Sequence, residues 1–504
     1  TTAANTYQMI WSGQSYGPDG PWQAVQVRIG SNNALVNLYP GGTWGSHILT
    51  PSICSNSSLG SICYAETAGL YDPGLSDTSS FGEVFVSPAI DYTDGALQIF
   101  GDAPETGIDN WNISNGGSAM FPVGINMAIH TSSWATLPDG STYPLTVGSL
   151  ALGAPGTVNQ TFGFDNGTPA FNATLLPGYL STEAPSNKIL SSNSYGLHIG
   201  SVDPPVAPSL YFGGFDQNRV LGTVSTQQGV PDSAGSIDLL DIELSVNSGA
   251  SPWSFNSLDG LLASGNSSMK SQLPVGINSL APYLHLPKST CDAIASKLPV
   301  TYQSKYGLYF WNTDDPQYQK IVSSPSCLGF TFRESESSKN FTINVPFSLL
   351  NLTLTAPLTD SPTSYFPCKA ETQTHYQLGR AFLQAAFVGV NWNGFNGSAA
   401  WWLAQAPGPT TPTQLQIQAI GNTDTSIPAS QVDWASTWAD TWTPISDAAA
   451  QTSTASSASS TNSAVNNAVS SGLSTGAKAG IGVACGIVGL ALIIGAIMFF
   501  VRRR

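Results

Sequence analysis

Through residues 1–421 the apolar positions fall in short runs, many of them alternating with polar ones. "AVQVRIG", "ALVNLY", "GEVFVS", "GALQIFG", "YGLHIG", "SLYFGG", "SIDLLDIELSV", "FTINVPF", "NLTLTA" and "AFVGVNW" each end at Gly, Pro, Asn or Ser. A period of two with turn residues at the boundaries predicts strands. Helical spacing is clearest in "STCDAIASKL", which opens on Ser/Thr and continues in helix formers. The expectation is an all-β body with hairpin or Greek-key pairing.

Beyond residue 421 the pattern changes twice. Residues 447–478 are Ser, Thr and Ala with little else, a composition that cannot bury a core and reads as an O-glycosylated stalk. Residues 422–446, with "QVDWASTWADTW", read as linker or a short amphipathic turn, so 422–478 is taken as linker plus stalk. Residues 479–501 are uniformly apolar and long enough, at roughly 34 Å as a helix, for one bilayer crossing. Lys478 precedes this run and Arg502, Arg503 and Arg504 follow it, which predicts a cytoplasmic C-terminus at 502–504 and an exterior body. A glycolipid-attachment signal has a similar layout but ends in its apolar tail. The Gly482–Gly486 spacing reads as ordinary glycine use in a membrane helix. The opening "TTAANTY" fits a chain whose signal peptide has been removed.

Composition narrows the function classes. Only 9% of residues are charged, Gly (50) and Pro (34) are abundant, and the net charge is −15. Apart from the terminal arginines there is no basic cluster, which argues against nucleic acid as a partner. N-x-S/T sequons head at Asn56, Asn112, Asn159, Asn166, Asn172, Asn266, Asn340, Asn351 and Asn396, which predicts a glycoprotein of the secretory pathway. Of six cysteines, Cys485 lies in the membrane segment. Cys54 is expected to pair with Cys63 and Cys327 with Cys368, leaving Cys291 as a buried small hydrophobe. His47, His130, His198, His285 and His375 show no metal-ligand spacing, and neither metal nor cofactor is expected. His285 reads as a hydrogen-bonded structural histidine. "GQSYG" (13–17) matches a nucleophile-elbow pattern but precedes Pro18 and reads as a loop.

An ordered set of segments resembles the pepsin-like aspartic protease family. "WQAVQVRIGSNNALVNLYPGGTWGSHILTPSIC" is similar to its opening strands, first catalytic loop and cysteine loop. "YDPGLSDTSS" and "FGDAPETGIDNW" resemble the stretch after the first disulfide and the flap hairpin. "VGSLALGAP" resembles the segment threading behind the first catalytic loop. "NSYGLHIGSVDPPVAPSLYFGGFDQNRVLG" resembles the interlobe junction. "LPVGINSLAPYLHLPKSTCDAIASKL" and "LGRAFLQAAFVGVNWN" resemble the second catalytic loop and the closing strands. The resemblance covers about residues 20–421. It implies a bilobal fold, with lobes at 1–200 and 201–421 and a cleft between them.

The resemblance also implies amide hydrolysis by two carboxylates sharing a proton, since two like charges about 3 Å apart cannot both ionise. Carried over, the first loop reads Tyr39, Pro40, Gly41, Gly42, with Tyr39 at the acid's position. The second reads Asn278, Ser279, Leu280, with Asn278 at the acid's position. The flap tyrosine becomes Phe100, and an acid near the last strand's end becomes Asn391. Neither a phenol nor an amide takes a proton from water at acid pH. No D-T-G or D-S-G occurs; Asp232 precedes Ser-Ala-Gly, and Asp440 precedes Thr-Trp. Asp102 and Asp109 read as solvated acids of the flap turn. The cleft candidates are therefore Tyr39, Gly41, Phe100, Asn278 and Ser279, none of them catalytic. The expected protein is an inactive, membrane-anchored homologue of fungal surface type, binding a peptide or a surface partner in its cleft. An active aspartic endopeptidase and a passive surface glycoprotein are the alternatives. The oligomeric state is not readable.

Overall fold

The run Trp22–Ile29 becomes strand β1, burying Trp22, Ala24, Val25, Val27 and Ile29 and exposing Arg28. Gly30 takes φ 80° and Asn33 φ 54°, turning the chain into the antiparallel strand β2 (Ala34–Pro40). Three further strands complete this core: β3 (Ser46–Leu49), β4 (Ser118–His130) and β5 (Gly148–Leu150). The second half repeats the process with β6 (Ile237–Val246), β7 (Leu273–Ile277), β8 (Leu284–Pro287), β9 (Cys368–Glu371) and β10 (Gln377–Leu378). The computed structural model describes residues 6–446 except 43–44, 56–61, 83–97, 102–104, 116–117, 154–157, 163–170, 176–189, 230–235, 270, 335–338, 372–375, 396–397 and 413. The stalk, the apolar stretch 479–501, Arg502–Arg504, Asn56, Asn166 and Asn396 thus fall outside the described residues. Among those described, no helix is long and apolar enough to cross a membrane.

The chain is mostly β. Its two eight-stranded sheets share one internal order. In the first the order is β1-β2-β5-β3-β4; in the second it is β6-β7-β10-β8-β9. The senses agree pair by pair. The first pair is antiparallel. The second is parallel, the third antiparallel and the fourth parallel. In each half a late strand, β5 or β10, wedges between two strands joined by a short loop. A six-stranded sheet takes strands from the start, middle and end of the chain, among them Tyr7–Gln8, Ser194–His198 and Ala386–Phe395. "STCDAIASKL" forms helix α1 (Lys288–Ala295), as its pattern predicts.

The structure alters three expectations. Cys54 pairs with Cys63, but Cys368 pairs with Cys291 rather than Cys327. Cys368 lies on β9 beside Leu284 of β8, and α1 follows β8 directly, bringing Cys291 within 5.8 Å Cα–Cα. Cys327 is a free, fully buried thiol, and burial pushes its pKa up. Next, the segment 422–446 is not a linker. Trp438 is fully buried, Trp442 stacks on it at 5.7 Å, and backbone bonds from Ser430 to Val220 and from Thr443 to Ser323 strap the segment to the body. Finally, the flap-like stretch is not a simple hairpin. Gln98–Gly101, including Phe100, pairs with Ser133–Thr136, while Glu105–Asn115 pairs with β4; Asp102 falls outside the described residues.

Two outcomes follow. Non-reducing peptide mapping links Cys291 to Cys368, and Cys327 reacts with an alkylating reagent only after denaturation. Trp438→Ala lowers stability by about 3–5 kcal/mol in denaturant melts.

Candidate functional site

The two wedge strands allow the two loops to be compared by register. In the first half Pro40 pairs with Leu150, and the next N–H, that of Gly41, donates to Leu150 O at 2.9 Å. In the second half Ile277 pairs with Leu378, and the next N–H, that of Asn278, donates to Leu378 O at 3.2 Å. The counterpart of Asn278 is therefore Gly41, and that of Gly276 is Tyr39. The sequence pairs Tyr39 with Asn278, whereas the register pairs Asn278 with Gly41, which has no side chain. A Cβ on Gly41 would require the Ser279 hydroxyl and the Leu280 side chain, which lies 2.9 Å away at Cγ and Cδ2, to move aside. The same register makes His47 and His285 counterparts, opposite Ser149 and Gln377.

Among the described residues the loops meet through Ser279 Oγ, which donates to Pro40 O at 2.6 Å. Asn278 is buried and turned into its own half. Its Oδ1 accepts from Leu280 N at 2.9 Å, and its Nδ2 donates to Gln377 Oε1 at 3.2 Å. Gly41, Ser279 and Leu280 are thus brought together. Asn391 lies elsewhere, donating Nδ2 to Gly421 O (3.0 Å) and Asp424 O (2.9 Å) at the base of the strap. Asp440 is at the surface, near Thr410. His285 is buried beside Tyr283, with ring centroids 5.7 Å apart.

What sequence reading missed is Arg380, the residue that follows β10 and Gly379. Its guanidinium is buried, 4.2 Å above the Tyr39 ring and 5.0 Å from the Trp22 ring. One nitrogen donates to Leu280 O at 2.9 Å and Ser279 O at 3.3 Å; another faces Asp19 Oδ2 at 3.8 Å. Asp19, also buried, accepts from Trp22 Nε1 at 2.8 Å, and its carbonyl accepts from the Tyr365 hydroxyl at 2.5 Å. Burial, and then the Asp19 charge, hold the Tyr365 and Tyr283 phenols well above their ordinary range. A small cavity of about 40 Å³ lies against Asp19, Tyr39, Leu280 and Arg380. It adjoins a groove of about 580 Å³, sharing Pro18 and Thr146 with it. The signal for Arg380 was there to be read: it is a lone cation in the apolar run "LGRAFL", in a chain with 16 Lys and Arg.

The acid at this centre is neutralised by a cation rather than coupled to a second acid. The arrangement can hold a ligand by hydrogen bonds and shape, but among the described residues it offers no carboxylate pair to activate water. Asp109 is not a solvated turn acid. It is buried and accepts from Tyr71 Oη (2.6 Å), Thr78 Oγ1 (2.5 Å) and Asn110 N (2.7 Å). Burial pushes its pKa up, but the bonds from Thr78, Tyr71, Ser76 and Asn110 outweigh that and leave it lowered. Among the described residues, the one group of His, Cys, Asp and Glu close enough for a metal is Cys54, Cys63 and Glu66, whose two sulfurs are bonded to each other.

Three buried histidines complete the electrostatics. His47 Nδ1 and His130 Nε2 are 2.8 Å apart, and His130 Nδ1 is 2.8 Å from Ser133 Oγ. Burial lowers His130 to about 4, and burial with the neighbouring His130 lowers His47 well below 6.5. Burial, reinforced by the Arg219 charge, lowers His198 to about 3.

Between pH 6.5 and 4 the unfolded chain binds protons at these histidines that the folded chain refuses. Their contribution is therefore complete above about pH 6.5 and is lost as pH falls, so the melting temperature drops from pH 7 to pH 4.5. Separately, Arg380→Met leaves Asp19 buried and unpaired and costs about 3–5 kcal/mol in denaturant melts; adding Asp19→Asn restores part of it.

No protein-family model matches the chain, and no curated protein matches it.

Proposed function

We propose that this chain is a catalytically silent, bilobal homologue of the pepsin-like aspartic proteases, exported and held at a cell surface by its C-terminal apolar segment. On this reading its role is to bind an extended ligand in the groove between its halves. The ordered resemblance over residues 20–421 supports the reading, and so does the twice-used strand order.

One observation carries it. The two positions that the wedge strands make equivalent are Gly41 and Asn278, and the nearby carboxylate, Asp19, is committed to Arg380. A reaction that depends on two coupled acids has neither acid here. The groove has the size of a small-molecule or peptide site, roughly 300–1,000 Å³.

The test uses the full chain, purified in detergent from a eukaryotic secretory host and incubated with a diverse peptide mixture at pH 3–6. No cleavage is expected. Turnover blocked by a statine-type inhibitor overturns the reading.

A further inference from the structure

The groove contains a glycosylation sequon. Asn266, Asn340 and Asn351 are the sequon asparagines whose side chains are described. Asn340 is exposed at the start of a strand. Asn266 closes its own turn, with Oδ1 accepting from Ser268 N (3.1 Å) and Oγ (2.6 Å) and Nδ2 reaching Ser289 at 3.3 Å. Asn351 differs: both it and Thr353, which completes Asn-Leu-Thr, line the groove.

The Asn351 amide is held through its oxygen. Its Oδ1 accepts from the hydroxyl of Tyr318, on helix α2 (Pro316–Ser323), at 3.2 Å. Its Nδ2 makes no hydrogen bond among the described residues. Much of the groove wall facing it comes from the chain's first half. Gln14, Ser15 and Thr67 offer neutral donors and acceptors, Tyr16 and Tyr64 offer rings, and Asp203 is the one formal charge. Such a wall suits an uncharged guest with many hydroxyls and apolar C–H faces. An anionic guest meets no lining cation and one carboxylate. The backbone bonds Thr353 N to Gly20 O (2.9 Å) and Thr355 N to Pro18 O (2.8 Å) fix the sequon strand against that wall.

We propose that Asn351 carries an N-linked glycan whose inner sugars lie in this groove, so that the chain's own carbohydrate is the groove's resident ligand. The proposal rests on the export half of the function proposed above. Attachment forms a bond from Asn351 Nδ2 to the anomeric carbon of a lipid-linked oligosaccharide diphosphate. It breaks that carbon's bond to the phosphate oxygen, and the lipid diphosphate leaves with the bonding electrons as the amide gives up one proton. An outside ligand for the groove must then displace the glycan or bind over it.

The experiment uses the full chain from a eukaryotic secretory host. Glycopeptide mass spectrometry reads occupancy at Asn351, and hydrogen exchange reads the groove wall in the parent, in Asn351→Gln and in Thr353→Ala. Both variants abolish the sequon, but only one alters the asparagine. The expected result is an occupied Asn351, with exchange at residues 14–21 and 64–67 faster by about threefold or more in both variants. An unmodified Asn351 overturns the proposal. So does an occupied site whose loss in Thr353→Ala leaves exchange at those segments unchanged. Neither result depends on whether the chain cleaves peptides, so failure here and failure of the silent-homologue reading are told apart.

Discussion

A guanidinium taken out of water must find partners for its charge and its donors, and at the meeting of the two halves Arg380 does so from both sides. From its own half it takes the carbonyls of Ser279 and Leu280. From the other it takes the Asp19 carboxylate and the faces of Tyr39 and Trp22. Asp19 in turn fixes Trp22 through one oxygen and Tyr365 through its carbonyl. One cation thereby sets the spacing of the loops, the buried phenols and the shape of the small cavity. Any chemistry imagined at this seam has to be compatible with that ion pair.

The pairing also shows that the two loops differ in what they present at equivalent positions. At Gly41 the side chain is missing and its space is taken by Ser279 and Leu280. At Asn278 an amide is present, but it closes a local turn and binds Gln377, so even its hydrogen-bonding capacity faces inward. The cross-seam bond from Ser279 to Pro40 keeps the loops in contact, and neither Gly41 nor Asn278 carries a carboxylate.

Much of the strand content could be read from alternation and turn residues, because half-buried strands such as Trp22–Ile29 carry their burial in the pattern itself. The doubled strand order could not. It depends on which distant segments pair, and β10 has only two residues, Gln377 and Leu378, too short to leave a periodic mark. The same limit matched Tyr39 rather than Gly41 to Asn278, since a count along one strand lacks the partner that sets its register. Cys327 drew the wrong pairing because linear proximity to Cys368 stood in for the fold-over of α1. The strap at 422–446 was misread because its tryptophans sit among Ser, Thr and Asp, and their burial depends on a body surface the local sequence does not contain. Arg380 was passed over because a lone cation in an apolar run has no motif to announce it.

The wedge strands bear on how the molecule assembles. β2 must wait for a partner that emerges about a hundred residues later, and β7 waits as long for β10. Until those arrivals, each nascent sheet presents two unmated edges on either side of a gap, and no local turn can close it. Such long-range closure is slow on topological grounds. In each half the two- or three-residue wedge strand comes last in sequence among these five, so completing the sheet requires a contact across about a hundred residues.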